Sequence, residues 1–277
     1  MATPTLSRHI LPGTLGPLLV DVRTSDRALP RPAVLIIHGF KGFKDWGMFP
    51  PLADRVARAG FTAVSLNLSG SGVDNTGECV WPDRFRRNTY SAELADIARV
   101  IDALGDGALD LPPTPEVGLV GHSRGGGMAI LTARRDPRVQ ALVTWAAFAD
   151  VHRWPGREAD WRLAGHLDVT NARTGQHLEL ATTLLDDIEQ NRHALDLLDA
   201  AGRVTQPWLL VHGAADEAVP LEEGRALAAT WGADTGNRVH LIDDTGHTFG
   251  AVHPFAGMTP ALAEAFDETL KWLGRHL

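Results

Sequence analysis

Apolar positions along this chain cluster in short runs separated by longer amphipathic stretches. Ala33 to Ile37 is wholly apolar and is introduced by Pro30 and Pro32. Phe61 to Leu66, Val117 to Val120, Ala141 to Trp145, Trp208 to Val211 and Val239 to Ile242 are similar, and Leu18 to Val22 precedes them. Runs this short, with little polar alternation, fit strands covered on both faces. Between them the spacing becomes helical. Leu94, Ile97, Ala98, Ile101 and Leu104 share one face of a helix over 91–104. Helices are also expected over 50–59, where Gly60 ends the pattern, and over 128–135, 221–231 and 260–273. The prolines at 112, 113 and 115 close the unit that precedes Val117. Strand and helix in alternation predict parallel strands joined by crossover helices.

The alternation fails after Trp145 and resumes at Trp208. The stretch between carries a possible hairpin around Asn171–Gly175, a helical pattern from Leu180 to Ala200, and many large apolar residues, among them Phe148, Trp154, Trp161 and Leu184. We therefore expect one α/β core made of residues 1–145 and 207–277, with 146–206 inserted as a helical cap. Loops of that length without regular structure are usually functional.

Composition narrows the setting. A chain of 277 residues with 44% hydrophobic and 22% charged residues can bury a sizeable core. A net charge of −8 argues against nucleic-acid and anionic-membrane partners. The single cysteine, Cys79, excludes an intramolecular disulfide and fits a reducing compartment. With no secretory leader pattern and no apolar run near the ~20 residues of a membrane span, the expectation is a soluble, cytoplasmic protein. Zinc-type His and Cys spacings and phosphate-binding glycine motifs are missing, so neither metal nor cofactor is expected. His152, His166, His177 and His193 read as polar surface or cap residues.

The candidate chemistry centres on residues 118–127, GLVGHSRGGG. Gly121-His122-Ser123-Arg124-Gly125 has the form G-x-S-x-G, placed after a strand and before a helix. That setting predicts a sharp turn presenting Ser123 as a nucleophile, with Gly121 and Gly125 required by close approach across the turn. Gly126 and Gly127 would let the helix lie close to its neighbours. Serine needs a base, and the base needs an orienting acid. Asp216 follows the strand at 208–211, with Glu217 as its adjacent rival. His247 lies in the loop after the strand at 239–242. The backbone N–H groups of Phe40 and Arg124 are the expected oxyanion donors. His122 cannot swing back over the serine and reads as structural.

With these residues in view, the sequence resembles the α/β-hydrolase superfamily. The resemblance rests on His38-Gly39-Phe40-Lys41-Gly42, on Gly121 to Gly125, on His212-Gly213-Ala214-Ala215-Asp216 with Val219-Pro220, and on Gly246-His247. It is nearest to the branch of dienelactone hydrolase-like and cinnamoyl (feruloyl) esterase-like proteins. True dienelactone hydrolases carry cysteine where Ser123 stands. The resemblance implies hydrolysis of small-molecule carboxylic esters through a Ser-His-Asp triad, without a cofactor. Two rivals stay open: a peptidase of the prolyl-oligopeptidase type, and a non-catalytic binding protein on the same fold.

Overall fold

The computed structural model describes residues 3–114, 116–233 and 236–277, so Pro115 of the proline run lies outside the described residues. The core begins with β1 (Thr5–Pro12), β2 (Pro17–Thr24), β3 (Ala33–Ile37), α1 (Phe49–Arg58) and β4 (Thr62–Asn67). It continues with α2 (Pro82–Arg86), α3 (Tyr90–Gly105), β5 (Val117–His122), α4 (Arg124–Arg135) and β6 (Val139–Trp145). The inserted segment holds α5 (Glu158–Ala164), β7 (His166–Thr170), β8 (His177–Ala181), α6 (Thr183–Gln190) and α7 (Leu197–Ala201). The chain then returns to the sheet with β9 (Trp208–Gly213), α8 (Leu221–Ala229), β10 (Arg238–Ile242) and α9 (Pro260–His276).

Eight strands form one sheet in the order β1-β2-β4-β3-β5-β6-β9-β10. β2 pairs antiparallel with both β1 and β4; β4, β3, β5, β6, β9 and β10 pair in parallel. The period-two geometry of each strand divides its apolar residues between two cores. Leu35, Leu119, Leu142 and Leu210 face α3, α4 and the inserted segment. Val34, Val120, Val143, Leu209 and Val211 face α1 and α9, where they meet Leu52, Val56, Phe266 and Leu273. Both faces are thus covered, as the unbroken apolar runs require.

The inserted segment differs from the helical cap expected. Residues 180–200 are not one helix. Leu178 and Leu180 alternate with exposed Glu179 on β8, which pairs antiparallel with β7 through Asp168↔Glu179 and Thr170↔His177. The Trp161 indole donates to the Leu180 carbonyl at 2.8 Å, fixing the strand against α5. After α6 the chain breaks, and Asp196 restarts it by capping the Asp199 N–H at 3.0 Å. The hairpin expected near Asn171–Gly175 is the β7–β8 connection. Among the described residues, no helix is long and apolar enough to cross a membrane.

Candidate active site

The turn between β5 and α4 places Ser123 at φ 56°, ψ −119°, a strained conformation for a side-chain-bearing residue. Its N–H is held by the Trp145 carbonyl at 2.8 Å. The neighbouring glycines are explained by contact distances. A Cβ on Gly121 would stand 2.3 Å from the Gly125 carbonyl oxygen, and one on Gly125 would stand 2.4 Å from that of Ile37. A Cβ on Gly126 would stand 2.6 Å from the Ala147 Cβ, and one on Gly127 3.0 Å from the Phe148 ring. The helix therefore lies close to the chain just past β6, at the start of the inserted segment. The helix-propensity cost of the glycines is offset by geometry no larger residue allows.

Asp216 and His247 are brought together from the loops after β9 and β10. The Ala214 N–H donates to the Ile242 carbonyl, and the Ala215 N–H to that of Thr245, both at 2.9 Å. The Asp216 side chain is wholly buried, and its Oδ2 accepts from His247 Nδ1 at 2.8 Å. Its Oδ1 accepts the Ala218 and Val219 N–H groups, each at 2.9 Å. Burial pushes this carboxyl up, but the His247 bond and the Val219 N–H outweigh burial and hold it below the ordinary aspartate range. Glu217 points to solvent. The Nδ1 bond leaves His247 Nε2 for the cavity it shares with Ser123. Among the described residues, no direct hydrogen bond joins the two side chains.

His122 holds His247 from behind. Its Nε2–H donates to the His247 backbone carbonyl at 2.9 Å, and the two ring centroids lie 4.7 Å apart. Burial, with the His247 ring beside it, lowers its pKa to about 3, so the imidazole stays neutral.

The loop after β3 brings Gly39 against the serine; a Cβ there would lie 3.0 Å from the Ser123 Cβ. Gly39 O accepts from His38 Nδ1 at 2.8 Å and from the Gly42 N–H at 3.0 Å. Because a trans peptide points its C=O and N–H in opposite directions, anchoring this carbonyl aims the Phe40 N–H the other way. Buried His38 accepts the Leu68 N–H on Nε2 at 3.3 Å, which places the ring proton on Nδ1. Burial lowers its pKa to about 4 and keeps that tautomer neutral. The Arg124 N–H stands at the first position of α4, among the donors for which a helix offers no intrahelical acceptor. The Arg124 guanidinium is buried between the Phe40 and Tyr90 rings, 4.3 and 4.7 Å from their centroids, and pairs with Glu93 at 3.2 Å. Sequence reasoning placed His38 in a loop motif but missed its hold on Gly39 and Leu68, and it missed this Arg124–Glu93 pair. The only sequence signal for His38 is its place directly before Gly39; Glu93 carries none, because it comes from a distant helix.

Two cavity lobes meet at Ser123 and His247. One, of about 170 Å³, is lined by Trp46, Phe49 and Thr248. The other, of about 320 Å³, is lined by Phe148, Trp154 and Val169 of the inserted segment. Phe40 and Lys41 border both. Among the described residues, one group brings metal-type ligand atoms together: His166, Asp168 and Glu179, on the solvent side of the β7–β8 hairpin. Glu179 there already pairs with Arg86 at 3.0 Å.

Comparison with known proteins agrees with this fold. Residues 32–174 match the α/β hydrolase fold family. The 2,6-dihydropseudooxynicotine hydrolase of Paenarthrobacter nicotinovorans is 24% identical over 226 residues, 80% of this chain and 54% of that protein. The chain thus spans about half the length of that relative. A monoacylglycerol lipase of Mycolicibacterium smegmatis is 22% identical over 305 aligned positions, covering 100% of both chains. The structure of Est1E from Butyrivibrio proteoclasticus superposes with a TM-score of 0.70 at 18% identity, covering 97% of this chain and 98% of that one. With the matched segment spanning over half of its length and the sheet, elbow and loops arranged as described, the chain belongs to the α/β hydrolase fold family.

Proposed function

We propose that this hydrolase cleaves small-molecule carboxylic esters through a serine acyl-enzyme. The observation that carries the reading is the buried Asp216 carboxylate bonded to His247 Nδ1 at 2.8 Å, with Ser123 on a strained turn beside the same cavity. Ser123 Oγ attacks the acyl carbon while His247 Nε2 takes its proton. Asp216 holds the ring in the correct tautomer and stabilises its charged form. The Phe40 and Arg124 N–H groups receive the oxyanion. His247 then gives the proton to the departing alcohol. Water, activated by the same imidazole, releases the acid and restores Ser123. We assign the inserted segment, 146–206, the part of a cap that sizes one half of the ester.

A fluorophosphonate probe and a panel of p-nitrophenyl esters of rising chain length, run beside methyl ferulate and a peptide p-nitroanilide, test the reading. Wild type should label at Ser123 and turn over esters; Ser123→Ala should lose both while melting at the wild-type temperature. Labelling without ester turnover, or faster cleavage of the anilide than of any ester, would replace the esterase reading with another hydrolase chemistry. A Ser123→Ala variant retaining more than a few per cent of activity would remove Ser123 from the mechanism.

A further inference from the structure

The larger lobe has an unusual charge balance. Lys41, Arg124 and Arg153 line it, and among the described residues no aspartate or glutamate does. Two of these cations are already compensated from behind the wall. Arg124 pairs with Glu93 at 3.2 Å, and Arg153 holds Glu223 with its Nη1 2.7 Å from each carboxylate oxygen. Even fully buried Lys44, elsewhere in the core, lies 3.1 Å from Asp21.

Lys41 is different. It is half-buried, and its Nζ donates to the Thr170 backbone carbonyl at 3.0 Å. Among the described residues, no carboxylate lies within 4.0 Å of it. Burial holds its amino group below the usual lysine range. Its Nζ also lies 5.7 Å from the Phe40 ring centroid, and a cation partly removed from water with only a carbonyl and a ring face as partners gains from an anion beside it. The chain as a whole carries −8, so this positive lobe is a local feature and not part of a basic surface. Its remaining walls include the rings of Phe40, Phe148 and Trp154. Convergent polar groups in an otherwise apolar concavity are the form of a selective small-molecule subsite.

We propose that this lobe is an anion subsite: the ester substrate carries a carboxylate on the half that enters it, met by the Lys41 ammonium with the Arg153 guanidinium beside it. The carboxylate supplies the charge that Lys41 lacks, and the aromatic walls take the carbon skeleton between carboxylate and ester. This rests on the esterase reading for the identity of the scissile group, but the recognition of a carboxylate can be measured without turnover.

The test uses two matched ester pairs, one for each half of the substrate. Mono-p-nitrophenyl glutarate is set against p-nitrophenyl valerate, and 4-carboxyphenyl butyrate against phenyl butyrate. The readout is the ratio of kcat/KM within each pair, so a general change in activity cancels. Wild type should favour the charged member at least tenfold in one pair. Lys41→Met keeps the stem and should bring that ratio to about one through KM, whereas Lys41→Arg keeps the charge and should retain most of the preference. Calorimetry with glutarate and 4-hydroxybenzoate reads the subsite independently of chemistry: the acid that fits should bind Lys41→Met at least tenfold more weakly than wild type. Charged esters disfavoured in both pairs, or a ratio or acid affinity unmoved by Lys41→Met, would overturn the proposal. Loss of all ester turnover with Lys41-dependent acid binding intact would overturn the esterase reading and leave the anion subsite standing.

Discussion

Asp216 and Glu217 are adjacent acids, and their environments separate them. The Asp216 carboxylate is buried and accepts three hydrogen bonds, from His247 Nδ1 and two backbone N–H groups. Glu217 is exposed. Asp216→Asn puts an amide where the carboxylate was and permits the wrong imidazole tautomer. We expect kcat to fall by about 10⁴, the size seen when a triad acid is lost. Glu217→Gln should stay within about twofold, as surface changes away from special features usually do. Steady-state kinetics on p-nitrophenyl acetate decides between them, and a larger loss in Glu217→Gln would reverse the assignment. The residue types at this site were legible in the sequence because each follows a strand and its turn. The Phe40 N–H was expected from its place after β3, but the clamp that aims it was not. His38 acts by bonding Leu68, thirty residues away, and no local pattern records that bond.

The inserted segment shows where element-level reading stops. Its apolar content was evident, and its shape was not. Leu178 and Leu180 have a strand's spacing only over five residues, too few to prevail over the helical pattern that follows. Two tryptophans in this segment have separate duties. Trp161 is 1% exposed and bonds Leu180, so Trp161→Ala should cost roughly 3–5 kcal/mol of stability. Trp154 lines the larger lobe and meets the Phe40 ring edge-on at 5.7 Å. Trp154→Ala should change the ranking of esters across a chain-length series more than it changes p-nitrophenyl acetate turnover, because acetate is too short to lean on that wall. Urea unfolding checks the first expectation and the ester series the second. A uniform loss across all esters in Trp154→Ala would make the segment a stability element.

Across the whole molecule, two buried neutral histidines make stability depend on pH. An unfolded histidine titrates near 6.5, whereas His38 and His122 do so at about 4 and about 3 in the fold. Above pH 6.5 both states leave these rings neutral, and their contribution is complete. Below it, the unfolded chain takes protons that the folded chain refuses. Each ring then removes about 1.4 kcal/mol per pH unit until its folded pKa is reached. Asp216 adds a further loss at lower pH, because its carboxyl is held below the unfolded aspartate value. Denaturant unfolding at pH 7, 6 and 5 should show stability falling with pH, and His122→Asn should flatten the slope. An unchanged slope in that variant would remove His122 as a source of the acid sensitivity.

The sequence by itself determined seven of the eight strands of the sheet and the parallel pairing of its core, and it marked Ser123, Asp216 and His247 as candidates at successive strand ends; β1 was not among the strands it gave. Those features depend on local rules: apolar runs of strand length, helical spacing, and glycines at turns that nothing larger can make. It did not determine which side chains meet across elements. The Glu93–Arg124 pair, the hold of His122 on the His247 backbone, and the uncompensated charge of Lys41 each join residues from separate parts of the chain. Such contacts arise when packed layers bring distant loops to one edge of the sheet. Burial then sets what a charge or a proton costs there, and burial belongs to the folded molecule and to no stretch of its sequence.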